Sequence, residues 1–461
     1  MVITMYEYLK KEFNNSSDLK YKSNADVKVV YLESLCSSDK INEYILKNIA
    51  LNQKYIYLRD VVSGPSIVFL TERKQISFYL LNGYALVYND KEMLVCEVKA
   101  ELFRAVSPPN SEPSVNGPKD SFNENIVMNL GLIKRRIKSE KLINEDFFIG
   151  RESKTKLSLL YIKGIAKKKH VEFIQKKLEA LDIDGLVDIE ALHTLIGDQK
   201  DTLPTILKTE RPDKVSSALL EGKIVLIADN SPYALIMPAF FVDFINPQGD
   251  LYVKPININL LKVLRFSCLF ITILLPALYI SIINYNQEAI PLNLLLSFQS
   301  ARNGVPFPSA FEAIFMIFVC SILRESDIRF PSSYGSSISI LGALILGEAA
   351  VNANIASPIM IIIIGLTFIS ALVFTNGDLI NGLRYYRLAL LISACFLGLY
   401  GMLCCLFIIV LQITSMESFE EPYLYPLTPF DKTYLFKTVL RKSKDMKRSK
   451  LLSNNEYKVK R

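Results

Sequence analysis

The sequence is poor in the residues that catalysis and metal binding use most. Its 461 residues hold two histidines, His170 and His193, in unrelated helical contexts. No P-loop, GxGxxG, GxSxG or metal-ligand spacing accompanies them. Both imidazoles are expected to be exposed or simply packed. A membrane-tethered enzyme with its active site within 25–245 therefore has little support, and no catalytic residue, metal site or cofactor is expected. Disulfide chemistry is equally thin. Cys36 and Cys96 are isolated, while Cys268, Cys320, Cys395, Cys404 and Cys405 lie in apolar runs, where cysteine behaves as a small hydrophobe. There is no CxxC, and adjacent Cys404 and Cys405 are not a metal spacing, which points to a reducing compartment. The opening MVITMYEYLKKEFNNSSD lacks a basic stretch followed by an apolar one, so no secretory leader is expected.

Apolar length is what the sequence has in excess. The mean hydropathy of +0.25 is high, and it is unevenly spread. Residues 1–250 read as mixed α/β protein, Leu260 to Thr414 is dominated by Ile, Leu, Phe, Ala and Val, and the tail from Glu417 is polar and basic. The net charge of +7 arises from Lys/Arg clusters at 134–138, 163–169, 437–450 and 458–461. No nucleic-acid reader motif accompanies them, so a solvated or lipid-facing basic edge is expected and nucleic acid is not.

The α/β part carries an internal repeat. VKVVYLESL (27–35) and LSLLYIKGI (157–165) are β-like runs, each followed by a helical pattern, and LLNGYALVYND (80–90) matches LLEGKIVLIADN (219–230). In the second pair a helix end meets Gly83 or Gly222, which fits the position just past a helix, where left-handed backbone favours glycine. Two related subdomains are expected, at 25–106 and 150–245, after an N-terminal tail (1–24). Between them, 107–149 is a loop and a helix. Ser121-Phe-Asn-Glu124 reads as a capping box opening a helix over 122–138. The basic end of that helix complements its dipole and is also a candidate for docking an anionic lipid surface or a partner.

A transmembrane domain is expected over 255–414, followed by a basic cytoplasmic tail (415–461). Spans need roughly 20 apolar residues. Leu260–Tyr285 is the first, with Lys262 and Arg265 at its start and Pro276 as a kink. Residues 289–299 are too short to cross. Ser309-Ala-Phe-Glu312 reads as a second capping box, opening a span to Asp327. SISILGALILG (337–347) is half a span, broken by GEAAVNANIAS into a re-entrant or broken helix. Ser357-Pro358 opens the next span, to Phe374, and the last runs from Arg387 to Ile413. About four full spans plus the half helix keep both ends cytoplasmic by the positive-inside bias. Small residues form seams for packing within or between chains, at Gly342, Ala343 and Gly347 and at Ala394, Gly398 and Gly401. The fold class is thus an α/β soluble N-terminal region of two related subdomains, followed by an all-α polytopic membrane domain.

Several motifs, in order along the chain, carry a resemblance. They are NENIVMNLGLIKRRIKS (123–139), IGRESKT (149–155), TERPDKVSSALLEGKIVLIADNSPYALIMP (209–238), RNGVPFPSAFE (302–312), LRESDIRFPSSYG (323–335), LGALILGEAAVNANIASPIMI (341–361) and EPYLYPLTPFD (421–431). The sequence resembles the A subunit of GerA-type spore germinant receptors, and its Lys/Asn/Ile-rich composition is similar to that of clostridial proteins. Arg211, Pro212, Pro306, Pro308 and Pro331 stand at motif positions. The resemblance implies a multi-pass protein of the spore inner membrane that acts in germination, with its soluble domain and tail on the spore-core side. It implies a permease-like B subunit that senses the nutrient, a lipoprotein C subunit, a homo-oligomer in membrane lipid, and a gated cation path. Two departures stand out. Cys320-Ser321 replaces the usual Phe-Glu, and Ser326-Asp327 replaces the usual Ala-Gly.

The polar punctuation of the membrane domain is the candidate ion path or gate, formed by Glu312, Arg324, Glu325, Arg329 and Glu348. Arg324 and Arg329 are expected to pair with Glu325 and Asp327 at the cytoplasmic mouth, and Glu348 to face the conduit. The competing reading makes these charges interfacial anchors or structural ion pairs. Two alternatives remain for the whole chain. One is a stage V sporulation A-subunit-like paralogue that amplifies ion release. The other is a secondary transporter, suggested by the broken helix but opposed by the few spans and the lack of an inverted repeat.

Overall fold

Alternation of apolar and polar residues places side chains on opposite faces of a strand, and here it builds two antiparallel sheets of the same design. The computed structural model describes the chain apart from residues 1–4, 25, 52–56, 101–108, 110–111, 113–116, 198–200, 330–345, 433–434, 436–444, 448–450, 454–457 and 461. The first sheet contains β1 (Leu19–Asn24), β2 (Val27–Leu32), β3 (Ile67–Phe69), β4 (Tyr84–Tyr88) and β5 (Met93–Glu97), in spatial order β1-β2-β4-β5-β3. The second contains β6 (Leu142–Ile149), β7 (Thr155–Ile162), β8 (Leu207–Thr209), β9 (Ile224–Ala228) and β10 (Ala234–Met237), in order β6-β7-β9-β10-β8. The two permutations are identical, and the matched sequence blocks supply β2 and β7, then β4 and β9. Gly83 (φ +82°) and Gly222 (φ +101°) are both left-handed just past a helix, as expected. Each sheet has core on both faces. In the first, Val30, Leu32, Leu86 and Val95 pack under helices α1 (Met5–Glu12) and α2 (Ile76–Leu80), while Val29, Val87 and Leu94 pack with Ile41 and Ile45 on the other side.

Both sheets start ahead of the expected subdomain limits. β1 precedes residue 25 because LKYKSN, an edge strand, is half exposed and carries little apolar signal. β6 precedes residue 150 for a similar reason, since acidic residues interrupt LINEDFFI. The helix of the connecting segment, α3, spans Ile126–Arg136 and not 122–138. Asn125 is its N-cap: its Oδ1 accepts from the backbone N of Val127 (2.9 Å) and Met128 (3.2 Å), which displaces the expected Ser121–Glu124 box. The basic end of α3 is engaged within the chain rather than offered to a lipid surface. Lys134 is buried against Asp18, Arg136 pairs with Asp120, and Lys138 donates to Asn82 Oδ1 (2.6 Å).

In the second subdomain, α4 (Lys168–Glu179) covers one sheet face, and α5 (Pro212–Glu221) and α3 cover the other. From there the chain enters α6 (Pro255–Tyr285), which contains Pro276, then α7 (Leu292–Arg302), α8 (Ser309–Arg329), α9 (Pro358–Ala371) and α10 (Gly377–Ser415). Among the described residues, two helices are long and apolar enough to cross a membrane, Ile256–Tyr285 and Gly377–Ser415. The latter is not one rod, as the expected single last span would require. Gly398 (φ +59°, ψ −142°) breaks the helical backbone. Beyond it the chain doubles back, so that a Cβ on Gly401 would lie 2.6 Å from the carbonyl O of Ser393. The outgoing and returning limbs have about 21 and 17 residues, roughly 32 and 26 Å at 1.5 Å per residue.

Both ends of this hairpin meet the second subdomain. Tyr386 bonds Thr202, and Gly382 lies against the carbonyl of Thr202. Past the returning limb, Ser418 Oγ donates to the carbonyl O of Thr205 (2.8 Å), and Phe241 N donates to the carbonyl O of Tyr423 (3.1 Å). One apolar core therefore runs from Leu160, Val225 and Ile236 of the second sheet into Leu269 and Ala277 of α6 and Leu383, Leu390, Ala394 and Met402 of α10.

Candidate functional site

The charged candidates do not form one site, because Glu312 and Arg324 stand at opposite ends of α8. Glu312 lies at the end of the bundle distal to the sheets. Ser309 Oγ donates to Asn284 Oδ1 (2.5 Å) on the last turn of α6, which fixes the start of α8. Glu312, one turn on, is 1% exposed. Its Oε2 accepts from both the backbone N and the Oγ of Ser357, each at 3.0 Å, and Arg302 Nη2 stands 3.4 Å from Oε1. The expected capping box at Ser309 is thus corrected: the Glu312 carboxylate caps a different helix, α9. A carboxylate inside an apolar bundle needs donors, and the free N–H groups and positive dipole end at the start of α9 supply them. Ser357 is the N-cap and Pro358 the first helical residue of α9, as expected. Three chain segments are tied together at this node.

Arg324 lies at the opposite end of α8, nearest the sheets, and forms no ion pair with a described residue. The expected pairing with Glu325 is therefore not made. Arg324 instead lies at the same end of the bundle as Arg384 and Arg387 of α10, one turn past Cys320, which packs in one cluster with Phe368 and Leu391. Arg387 is 4% exposed, with its guanidinium stacked 4.7 Å from the Phe368 ring centre. Arg384 Nε is buried and unbonded. Ser321, where an acid was expected from the resemblance, turns back to donate to the carbonyl O of Ile317 (2.7 Å).

Glu325 is exposed, and Arg329 is the last residue of α8. Glu348 is exposed on a helical stretch over 346–352, and a Cβ on Gly347 would meet no atom within 4 Å. Gly342, Ala343 and Pro331 lie outside the described residues. Pro306 and Pro308 are exposed in the turn before α8. Ala394, Gly398 and Gly401 are buried at the hairpin, where Tyr285 OH donates to the carbonyl O of Cys395 (2.6 Å).

Arg211 and Pro212 sit at the joint between sheet and bundle. Pro212 opens α5, and the buried Arg211 donates twice to Asp213, Nε to Oδ1 at 3.0 Å and Nη2 to Oδ2 at 2.8 Å. Tyr252 OH also donates to Asp213 Oδ2 (2.9 Å), and Arg265 of α6 grips Asp250 (2.5 and 3.0 Å). This chain of bonds fixes the exit from the second subdomain into the first long helix. Arg211 is thus a structural strut among the described residues.

The segment after α10, expected to be part of a polar tail, is a buried strap. Tyr423 is fully buried between Phe241 and Phe244, and Tyr425 packs on Phe240. Glu421 meets His170 Nε2 (3.0 Å) and Lys167 Nζ (3.1 Å), so His170 is a strap contact rather than a loose packed ring. Burial pushes the Glu421 carboxyl up, but the donors His170 and Lys167 outweigh it and hold it below the usual carboxylate range. The signal was present in the sequence as the aromatic pair in EPYLYP, whose spacing fits one face of an extended segment.

The profile described as Bacillus/Clostridium GerA spore germination protein matches residues 7–451. Spore germination protein KA of Bacillus subtilis (strain 168) is 32% identical over 439 residues, covering 91% of this chain and 80% of that protein. Spore germination protein B1 of the same strain is 30% identical over 448 residues, covering 94% of this chain and 93% of that protein. The uncharacterized membrane protein YfkQ of the same strain is 31% identical over 411 residues, or 87% of this chain and 80% of that protein. The crystal structure of the N-terminal domain of the A subunit of the Bacillus megaterium spore germinant receptor GerK3 is 28% identical. It covers 51% of this chain and 93% of that domain, with a TM-score of 0.38.

Proposed function

Because this chain belongs to the Bacillus/Clostridium GerA spore germination family, we propose that it is the A subunit of a nutrient germinant receptor in the spore inner membrane. It works with a permease-like B subunit and a lipoprotein C subunit, and copies of it assemble around a gated cation path. The sheets and the strap face the spore core. Lys262, Arg265, Arg384 and Arg387 all lie at the sheet end of the bundle, the cytoplasmic placement that the positive-inside bias favours.

The observation that carries this reading is the continuous core between the second sheet and α6, α9 and α10. A receptor subunit must turn an event at one part into motion at another. Packed interiors transmit strain because they are dense and have few voids. The exposed carboxylate of Glu348 is placed for contact with water or with another copy, so it is the better conduit candidate. Glu312 is engaged in holding helices together.

Cation release from spores tests the reading. A K⁺-selective electrode follows a deletion strain, its wild-type complement and a Glu348→Gln complement after nutrient addition. Loss of release on deletion, restored by wild type and impaired by Glu348→Gln at normal protein level, is expected. Unchanged release in the deletion strain removes the receptor assignment. Normal release with Glu348→Gln removes that residue from the conduit.

A further inference from the structure

We propose that Arg324, Arg384 and Arg387 form a binding site for a phosphate group, presented as the headgroup of an anionic lipid at the sheet end of the bundle. The site lies where α8, α9 and α10 meet. Arg384 and Arg387 are three residues apart on one helix, so their side chains leave the same face. Arg324 comes from α8, one turn past Cys320, and Cys320 packs in one cluster with Phe368 of α9 and with Leu391 of α10, itself one turn past Arg387.

Among the described residues none of the three donates a hydrogen bond or makes an ion pair. A guanidinium has five N–H donors and no acceptor. Gathering three of them, one almost fully buried, is unfavourable twice over, through desolvation and through like-charge repulsion. A bound anion with several acceptor oxygens removes both penalties. Phosphate suits best, because the planar fork of arginine matches its oxygens in paired bonds. Phe368 lies against the Arg387 guanidinium, its ring centre 4.7 Å from Cζ, and brings no acceptor oxygen to it.

The depth of the site selects a lipid. Tyr386 and Gly382, within one or two turns of the cluster, rest on Thr202 and Leu203 at the floor of the second subdomain. Ile322, Tyr385 and Leu388 are exposed apolar side chains on the same two helices. A headgroup phosphate in the cluster would lay its acyl chains along that apolar belt, an arrangement a free phosphate cannot use. The site is independent of the germination role proposed above.

The full chain, purified in neutral detergent, decides the matter by native mass spectrometry and thermal melting. The probes are phosphatidylglycerol, phosphatidylcholine and inorganic phosphate. Retained phosphatidylglycerol and a higher melting temperature, without either for phosphatidylcholine, are expected. The Arg324→Gln/Arg384→Gln pair should lower phosphatidylglycerol retention by more than about tenfold, since each factor of ten is about 1.4 kcal/mol and two charge-assisted donors are lost. Should that pair fail to fold, Arg324→Gln alone, at a part-exposed position, gives the same comparison. Equal retention of both lipids overturns the proposal, as does full retention by a folded variant. Stabilisation by inorganic phosphate equal to that by phosphatidylglycerol keeps the phosphate site but overturns the lipid. Indifference of the wild-type chain to every probe overturns both, and leaves an acidic side chain of another subunit as the counterion.

Discussion

Glu312 holds the start of α9 through the backbone N and the Oγ of Ser357, each at 3.0 Å. Its spacing from Ser309 fits a capping box, a contact three residues long, whereas its real partner, Ser357, is 45 residues away. No local pattern encodes that distance. The contact makes a sharp prediction. Glu312→Ala leaves Arg302 without its counterion and the start of α9 without its acceptor. Leaving the buried Ser357 donors without their acceptor costs about 1–3 kcal/mol, so the variant should melt below wild type in detergent. Glu312→Gln, which still accepts from Ser357, should fall between them. Equal melting of Ala and wild type would refute the clamp. Asp18 offers a second test, through pH. Burial raises its carboxyl, but Lys134 and Ser34 more than offset this and hold it below the usual value. Its stabilisation is therefore full above the unfolded value of about 3.9 and lost as pH falls through the folded value. Acid unfolding of the soluble region should begin at a lower denaturant concentration below about pH 4, and Asp18→Asn should flatten that dependence. A dependence unaltered by Asp18→Asn would assign the acid sensitivity elsewhere.

Elements with period and punctuation were legible. The duplicated blocks, the left-handed Gly83 and Gly222, the Ser357-Pro358 start and the first long helix were all readable because each rests on local chemistry. The edge strands β1 and β6 were not, since an edge strand with one exposed face has little alternation to detect. The hairpin of α10 was hidden for another reason. Ala394, Gly398 and Gly401 fall at helical spacing, and such a seam fits the face of a straight helix as well as the inside of a bend. Only the backbone of Gly398 separates the two. At φ +59° and ψ −142° a side chain is strained, and a Cβ there would lie 2.7 Å from Tyr285 Cγ. Backbone strain of this kind costs about 1–3 kcal/mol before the clash is counted. Gly398→Ala should lower the level of protein in the membrane and its melting temperature. Gly365→Ala on α9, where an added Cβ meets nothing within 4 Å, should change neither. Similar behaviour of the two variants would mean that Gly398 tolerates a side chain and the bend is not tight.

At the scale of the molecule, the strap after α10 decides whether the bundle and the second subdomain act as one body. The hairpin brings the chain back to the sheet, and Tyr423 enters the shared core beside Phe241 and Phe244. Truncating a large buried ring to alanine costs about 3–5 kcal/mol. Since 1.4 kcal/mol is tenfold in an equilibrium, local release of the strap should rise by about a hundredfold or more in Tyr423→Ala. Limited proteolysis within 416–431 reads that release, and cation release from spores carrying the variant reads its consequence. Tyr423→Phe separates packing from polarity. The Tyr423 hydroxyl is buried without a partner among the described residues, so its removal should leave the cleavage rate unchanged or slower. Fast cleavage in Phe as well as Ala would make the hydroxyl, and not the ring, the anchor. Slow cleavage in both would mean that the strap is held elsewhere, by Glu421 on His170 and Lys167. Acidification below the unfolded carboxylate value of about 4.3 should then release it, because the lowered carboxyl of Glu421 loses its contribution as pH falls through its folded value. Proteolysis that accelerates in Tyr423→Ala while cation release stays normal would show that the strap opens without consequence, leaving α6 and the Asp213–Tyr252 joint as the tie between sheet and bundle.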